Sequence, residues 1–172
     1  MRFVITGGPG VGKTTLLLEL ERLGHHVVPE SARAIISEEQ QKPNGILPWT
    51  DLFTFQKLVV ARQLALETRI EGSPAFLDRG VLDGIAYCIA GNIAPPPELE
   101  IVRARYTAVF LLDPLGKYAR DAERKEDAGH ARRIHAAIET VYTRSGIPLV
   151  RVPVLPPAER PQYILEHVRR IQ

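Results

Sequence analysis

The chain has 172 residues, 45 % of them apolar and 24 % charged, as in an ordinary globular domain large enough to bury a core. A net charge of +2 is too small to argue for nucleic acid or a membrane surface, and no apolar run approaches the roughly 18–20 residues of a membrane span. One cysteine, Cys88, excludes an intramolecular disulfide and suits a reducing compartment.

In chain order, residues 2–6 read as a buried strand. Then comes Gly7-Gly8-Pro9-Gly10-Val11-Gly12-Lys13-Thr14, which fits G-x-x-x-x-G-K-[ST] without a mismatch. A helix follows to about Leu23, ended by Gly24. Strand before and helix after turn the pattern into a physical expectation. Glycines bend the backbone so that several N–H groups, at the positive end of a helix, converge on one anion. The expected cradle for a nucleoside triphosphate is Gly8, Gly10, Val11, Gly12, Lys13, Thr14 and Thr15. Lys13 is expected to reach the β- and γ-phosphates and the Thr14 hydroxyl to hold Mg²⁺. The motif begins seven residues in, which leaves no room for a signal peptide and predicts a cytoplasmic location.

Residues 25–29 read as a second strand. His25 and His26 are adjacent on it and point to opposite faces, so they do not share a metal. Glu30 comes just past this strand, where open α/β sheets place their ligands. It either serves a substrate hydroxyl or satisfies a helix dipole. Ser31 is expected to cap the next helix, with Arg33 in its first turn. Residues 41–50 form a loop rich in turn residues, long enough to be a substrate flap. Its Trp49 either stacks on a flat ligand or staples the next helix, with the staple preferred.

A long helix is expected from about Asp51 to Glu71, with an inward stripe of Leu52, Phe55, Val59, Leu66 and Ile70. Gln56 and Gln63 fall near that stripe and need partners, from the protein backbone or from a substrate. Residues 74–78 read as a strand ending in Asp78, placed to hold the Mg²⁺ hydration shell. The next residue is Arg79 and not a glutamate, so no carboxylate adjoins Asp78 to activate water. That favours transfer to another acceptor over hydrolysis. Asp83 and Tyr87 share a face of the following helix, and Asp83 contacts substrate, serves as a cap or pairs with Arg79.

After Pro95-Pro96-Pro97 come a short helix over 98–104 and a fourth strand over 107–112. Residues 117–127 are densely charged, and Arg120 and Arg124 share a face if helical, which would close a lid over the triphosphate. A helix over 128–145, a fifth strand over 148–152 and a last helix complete the chain.

With these pieces placed, the sequence resembles the P-loop kinase-like family typified by the nicotinamide riboside kinase domain of NadR, the AAA_28 grouping. The matches are GGPGVGKTT at 7–15, PESAR at 29–33, FQ…Q at 55–63, FLDRGVLDGIAY at 76–87, RKEDAGHARRIH at 124–135 and PLVRVPVLPPAERPQYIL at 148–165. No stretch resembles the adenylyltransferase portion of NadR. The resemblance implies a three-layer α/β P-loop NTPase fold, one domain over 1–172, with a five-stranded parallel sheet flanked by helices and a small lid over about 114–128. It implies ATP or GTP with Mg²⁺, an Asp78-Arg79 pair and a Glu30 beside the acceptor, and a nucleobase lined by the segment that begins at Pro153.

Two functional expectations follow. One is a small-molecule kinase, in which a nucleoside-like acceptor approaches from the side of Glu30, Asp78 and Arg79, Glu30 or Asp78 handles its proton, and Mg²⁺, Lys13, Arg120 and Arg124 stabilise the transferring phosphoryl. The other is a slowly hydrolysing nucleotide switch, disfavoured because no N-K-x-D guanine signature is present. A nucleic-acid end kinase lacks the basic groove it needs. The sequence leaves the acceptor, the donor base and the oligomeric state open, a homodimer included.

Overall fold

The computed structural model describes residues 1–71, 74–102, 106–115 and 128–171. Its five strands are β1 (Arg2–Thr6), β2 (His26–Val28), β3 (Ala75–Asp78), β4 (Ala108–Leu112) and β5 (Leu149–Val152). They form one parallel sheet in the order β2-β3-β1-β4-β5. Parallel neighbours need crossovers, and the helices supply them. These are α1 (Lys13–Arg22), α2 (Ser31–Glu39), α3 (Leu52–Thr68), α4 (Asp83–Ala90), α5 (Ala128–Ser145) and α6 (Arg160–Ile171), with a 3₁₀ turn over Pro97–Val102.

Alternation along the strands builds two cores. Phe3, Ile5, Phe76 and Phe110 point to one face, where Leu16, Leu17 and Leu20 of α1 and Ile164 and Val168 of α6 cover them. Val4, Leu77, Val109 and Leu111 point to the other, under Val60 of α3, Ala86 of α4 and Ile134, Ile138 and Val141 of α5. Ile171, at the end of α6, is 40 % exposed and lies outside these cores. β1 is central, so the loops leaving β1, β2 and β3 meet at one edge of the sheet. That is where such sheets bind ligands.

Helix α3 differs from expectation. Its buried residues are Phe55, Gln56, Val60, Gln63 and Glu67, so the most enclosed line of the helix is largely polar. Leu66 and Ile70 are only partly buried against the core, and Leu52 and Val59 wall a cavity instead. The polar line is possible because most of it is partnered. Gln63 Nε2 donates to Glu67 Oε1 (3.1 Å) and to the Arg79 carbonyl (3.4 Å). Tyr106 Oη donates to the same Glu67 oxygen (2.8 Å) and accepts from the Val81 N–H (2.8 Å). Two further expectations need correction. Ser31 is the first residue of α2 and not its cap; its hydroxyl donates to Gln63 Oε1 at 2.7 Å. Trp49 staples nothing, being 65 % exposed.

Gly80 lies where these elements converge. A Cβ there would stand 2.5 Å from Tyr142 Oη and 2.9 Å from Tyr106 Cε2. Both tyrosines are buried and hydrogen-bonded, so neither swings away cheaply. Gly80→Ala is expected to destabilise the fold by about 1–3 kcal/mol, read as a lower urea midpoint at unchanged slope.

Candidate active site

The loop between β1 and α1 curls because Gly10 and Gly12 take φ of 78° and 91°, a left-handed region that a side chain resists. Gly12 precedes α1, so the loop delivers its amides to the positive end of that helix. Lys13 folds back over the loop and donates to the carbonyls of Gly7 (3.0 Å) and Gly8 (2.9 Å). To reach a phosphate, its ammonium exchanges these two carbonyls for phosphate oxygens. Burial, then the Arg79 guanidinium, lowers Lys13 to about 7. Thr14 and Thr15 are exposed at the loop's mouth.

Asp78 ends β3 beside this loop and is 9 % exposed. Its Oδ1 is buried with no hydrogen-bond partner. Burial, then the Glu30 carboxylate, raises Asp78 to about 6. An orphaned carboxylate oxygen near a phosphate nest suits a hard divalent cation, which takes few protein oxygens and completes its shell with phosphates and water. Asp78 is therefore the side chain here that fits Mg²⁺.

Arg79 follows with φ of 70°, one of two such non-glycine residues among those described. Strain of this kind persists only where the surroundings over-determine it. Here they do. Arg79 Nε donates to Glu30 Oε1 (2.8 Å) and Nη1 to Asp83 Oδ1 (3.2 Å). Its guanidinium lies 5.3 Å from the centre of the Tyr87 ring. Glu30 Oε2 faces the exposed Arg33 at 3.0 Å. Asp83 is 3 % exposed. Its carboxylate also accepts from Thr6 Oγ1 (2.5 Å), the Gly80 N–H (3.1 Å) and Tyr142 Oη (2.7 Å). Of the roles left open for Asp83, the structure shows the pairing with Arg79.

Glu30, Asp78 and Arg79 thus come together, and they border a cavity of about 160 Å³. Its walls include Ile36, Phe55, Val59, Val60, Tyr87 and Leu99. Gln56 lines it too, 4 % exposed, with an Oε1 that has no partner. The Gln56 amide packs on Gly84, where a Cβ would stand 2.8 Å from Oε1. The two open readings of the glutamines therefore divide: Gln63 is satisfied within the protein, and Gln56 is not.

Pro153 is exposed in the turn after β5. Arg120 and Arg124 lie outside the described residues. Three residues that sequence reasoning missed touch the site from afar. Tyr142 holds Asp83, as above. His135 Nδ1 accepts from the Gly8 N–H at 3.2 Å, and burial lowers its basicity, which keeps that nitrogen an acceptor. Arg160 donates to the Val11 carbonyl at 3.0 Å. None carries a local sequence signal, because each partner is 59 or more residues away.

No helix among the described residues is long and apolar enough to cross a membrane. Among solved structures, deoxyadenosine kinase from M. mycoides with dCMP and dCDP is similar over 100 % of both chains, at 16 % identity and a TM-score of 0.71. Shikimate kinase from Aquifex aeolicus is similar over 98 % of this chain and 96 % of its own, at 17 % identity and 0.63. NadR in complex with NR is similar over 99 % of this chain at 16 % identity and 0.70; the chain spans 51 % of NadR. At these identities the likeness establishes the fold. No curated protein sequence matches the chain. The family model described as AAA domain, AAA_28, matches residues 2–160, and with its five-stranded parallel sheet and phosphate-loop motif the chain belongs to that family.

Proposed function

We propose that the protein transfers the γ-phosphoryl group of ATP or GTP to a hydroxyl of a nucleoside-like metabolite. The observation that carries this reading is the cavity beside the phosphate loop. It is partly enclosed and largely apolar, and it has Glu30, Asp78 and Arg79 at its polar border and Gln56, whose Oε1 has no partner, in its wall. A nucleotide switch needs no second cavity there. A phosphotransferase does, because its acceptor must be held in line with the donor.

In this reading the amides of Gly8, Gly10, Val11, Gly12, Lys13, Thr14 and Thr15 bind the phosphates, and the segment at Pro153 lines the base. Thr14 and Asp78 would hold Mg²⁺, which neutralises charge on the phosphate oxygens when bound. The acceptor's flat ring lies between the apolar walls, and Gln56 Oε1 gains the partner it lacks. The acceptor hydroxyl faces Glu30. Its oxygen bonds to the γ-phosphorus, its proton passes to the Glu30 carboxylate, and the bridging P–O bond breaks to release the nucleoside diphosphate. Arg79, held by Glu30 and Asp83, stays beside the transferring group. The chain acts as one domain.

The test is thermal unfolding with ATP, GTP and Mg²⁺, then with nucleosides and related hydroxyl metabolites added, backed by transfer of labelled γ-phosphate. A nucleotide at about a hundred times its Kd should add about 2.7 kcal/mol, and one acceptor should add to that and become labelled. Stabilisation by nucleotide alone, with no acceptor labelled across the panel, would instead favour the switch.

A further inference from the structure

Arg160, the first residue of α6, bridges the phosphate loop and the turn after β5. Its Nη1 donates to the Val11 carbonyl at 3.0 Å and its Nε to the Leu155 carbonyl at 2.9 Å. The residue is 7 % exposed. The guanidinium presses so closely on the loop that a Cβ on Gly12 would stand 2.6 Å from Nη1. Beside Leu155 the turn presents apolar surface to solvent, with Pro153 exposed and Val154 54 % exposed. An anion nest and an exposed apolar ledge are thus joined back to back by one planar fork. The nest suits a polyphosphate and the ledge suits the flat face of a nucleobase.

We propose that Arg160 is a positioning residue that sets the phosphate loop and the 153–157 turn in register, so that one nucleoside triphosphate spans both. This rests on the nucleotide reading above. Arg160 acts through the Val11 and Leu155 carbonyls and not by contact with the transferring phosphoryl. Its rigid fork matters more than its charge. Lysine keeps the charge but is a point donor on a flexible stem, unable to hold two carbonyls in one plane.

The test is calorimetric titration of the whole chain with ATP, GTP and inorganic tripolyphosphate, each with Mg²⁺. The proteins are the wild type, Arg160→Lys and Val154→Ser. Tripolyphosphate needs only the nest, whereas a nucleotide needs nest and ledge together. Arg160→Lys is expected to weaken the preferred nucleotide about tenfold, as for one lost charge-assisted hydrogen bond, and to leave tripolyphosphate within about threefold. Val154→Ser, at an exposed site, should show the same selectivity without disturbing the fold. Equal weakening of nucleotide and tripolyphosphate in Arg160→Lys would overturn the proposal, leaving Arg160 a support for the phosphate loop alone. A lower Tm with both affinities retained would overturn it as well. Should Arg160→Lys fail to fold, Val154→Ser decides, and unchanged nucleotide affinity there sinks the idea. A wild type that binds neither ATP nor GTP removes the nucleotide reading itself, and this inference with it.

Discussion

Glu30→Gln is expected to lower kcat of the proposed transfer about 10²–10⁴-fold while leaving nucleotide affinity nearly unchanged. Glu30 leaves β2 in extended conformation and occupies the cap position of α2 without capping it with its side chain. The carboxylate is therefore available to the cavity, oriented by Arg79 at 2.8 Å and, more weakly, by the exposed Arg33 at 3.0 Å. The amide matches it in shape and keeps one acceptor oxygen, but it takes no proton from a hydroxyl. The phosphate nest is built by the β1–α1 loop and does not need Glu30. Steady-state kinetics beside nucleotide titration separates the two effects. A kcat within about threefold of wild type would reduce Glu30 to an ion-pair partner of Arg79.

Asp78→Asn is expected to move activity and stability in opposite directions. Activity should fall at least about 10²-fold, because the carboxylate that would hold Mg²⁺ against the triphosphate is removed. Stability of the ligand-free protein should rise. The sign follows from where Asp78 titrates. In the folded chain it loses its proton near pH 6, against about 3.9 for an unfolded aspartate. The folded state therefore holds that proton more tightly. Ionised Asp78 costs stability above pH 6, and the cost fades as pH falls from about 6 to about 4. It amounts to on the order of 2–3 kcal/mol when complete, or several degrees of Tm for a chain of this size. Asparagine escapes it at every pH. Calorimetric Tm values should thus lie higher for the variant at pH 7.5 and converge with wild type near pH 4. A variant less stable than wild type at pH 7.5 would mean that the Asp78 charge is already well compensated by Lys13 and Arg79.

Much of this site is legible from sequence because its parts are punctuated by strand ends. The phosphate loop, Glu30 and Asp78-Arg79 each follow a short apolar run, and parallel strands deliver their carboxyl ends to one edge. What was not legible is the layer beneath. Gln63, Glu67 and Tyr106 form a buried polar chain that looks, from periodicity, like a flaw in an apolar stripe. Hydrophobic patterning assigns burial by residue type, so it rotated α3 away from its most enclosed line. The same blindness applies to Asp83, whose partners Thr6 and Tyr142 come from a strand and a helix far off in the chain. A local reading offered only Arg79 as its partner. Strand order was likewise silent, since nothing local tells β1 that β3 and β4 will flank it.

The division of labour around the cavity bears on how such a chain can diversify. The polar border is locked, for Glu30, Arg79 and Asp83 are tied together and Asp83 is tied in turn to Thr6, Gly80 and Tyr142. A change at any one of them disturbs several others. The half-buried apolar walls bear no such ties: Ile36 and Val59 contribute shape. Drift at those two positions can reshape the chamber while the polar border stays in place. Under the proposed transfer, a lineage carrying this scaffold is thus free to explore new acceptors by small steps, each of which keeps the polar border intact.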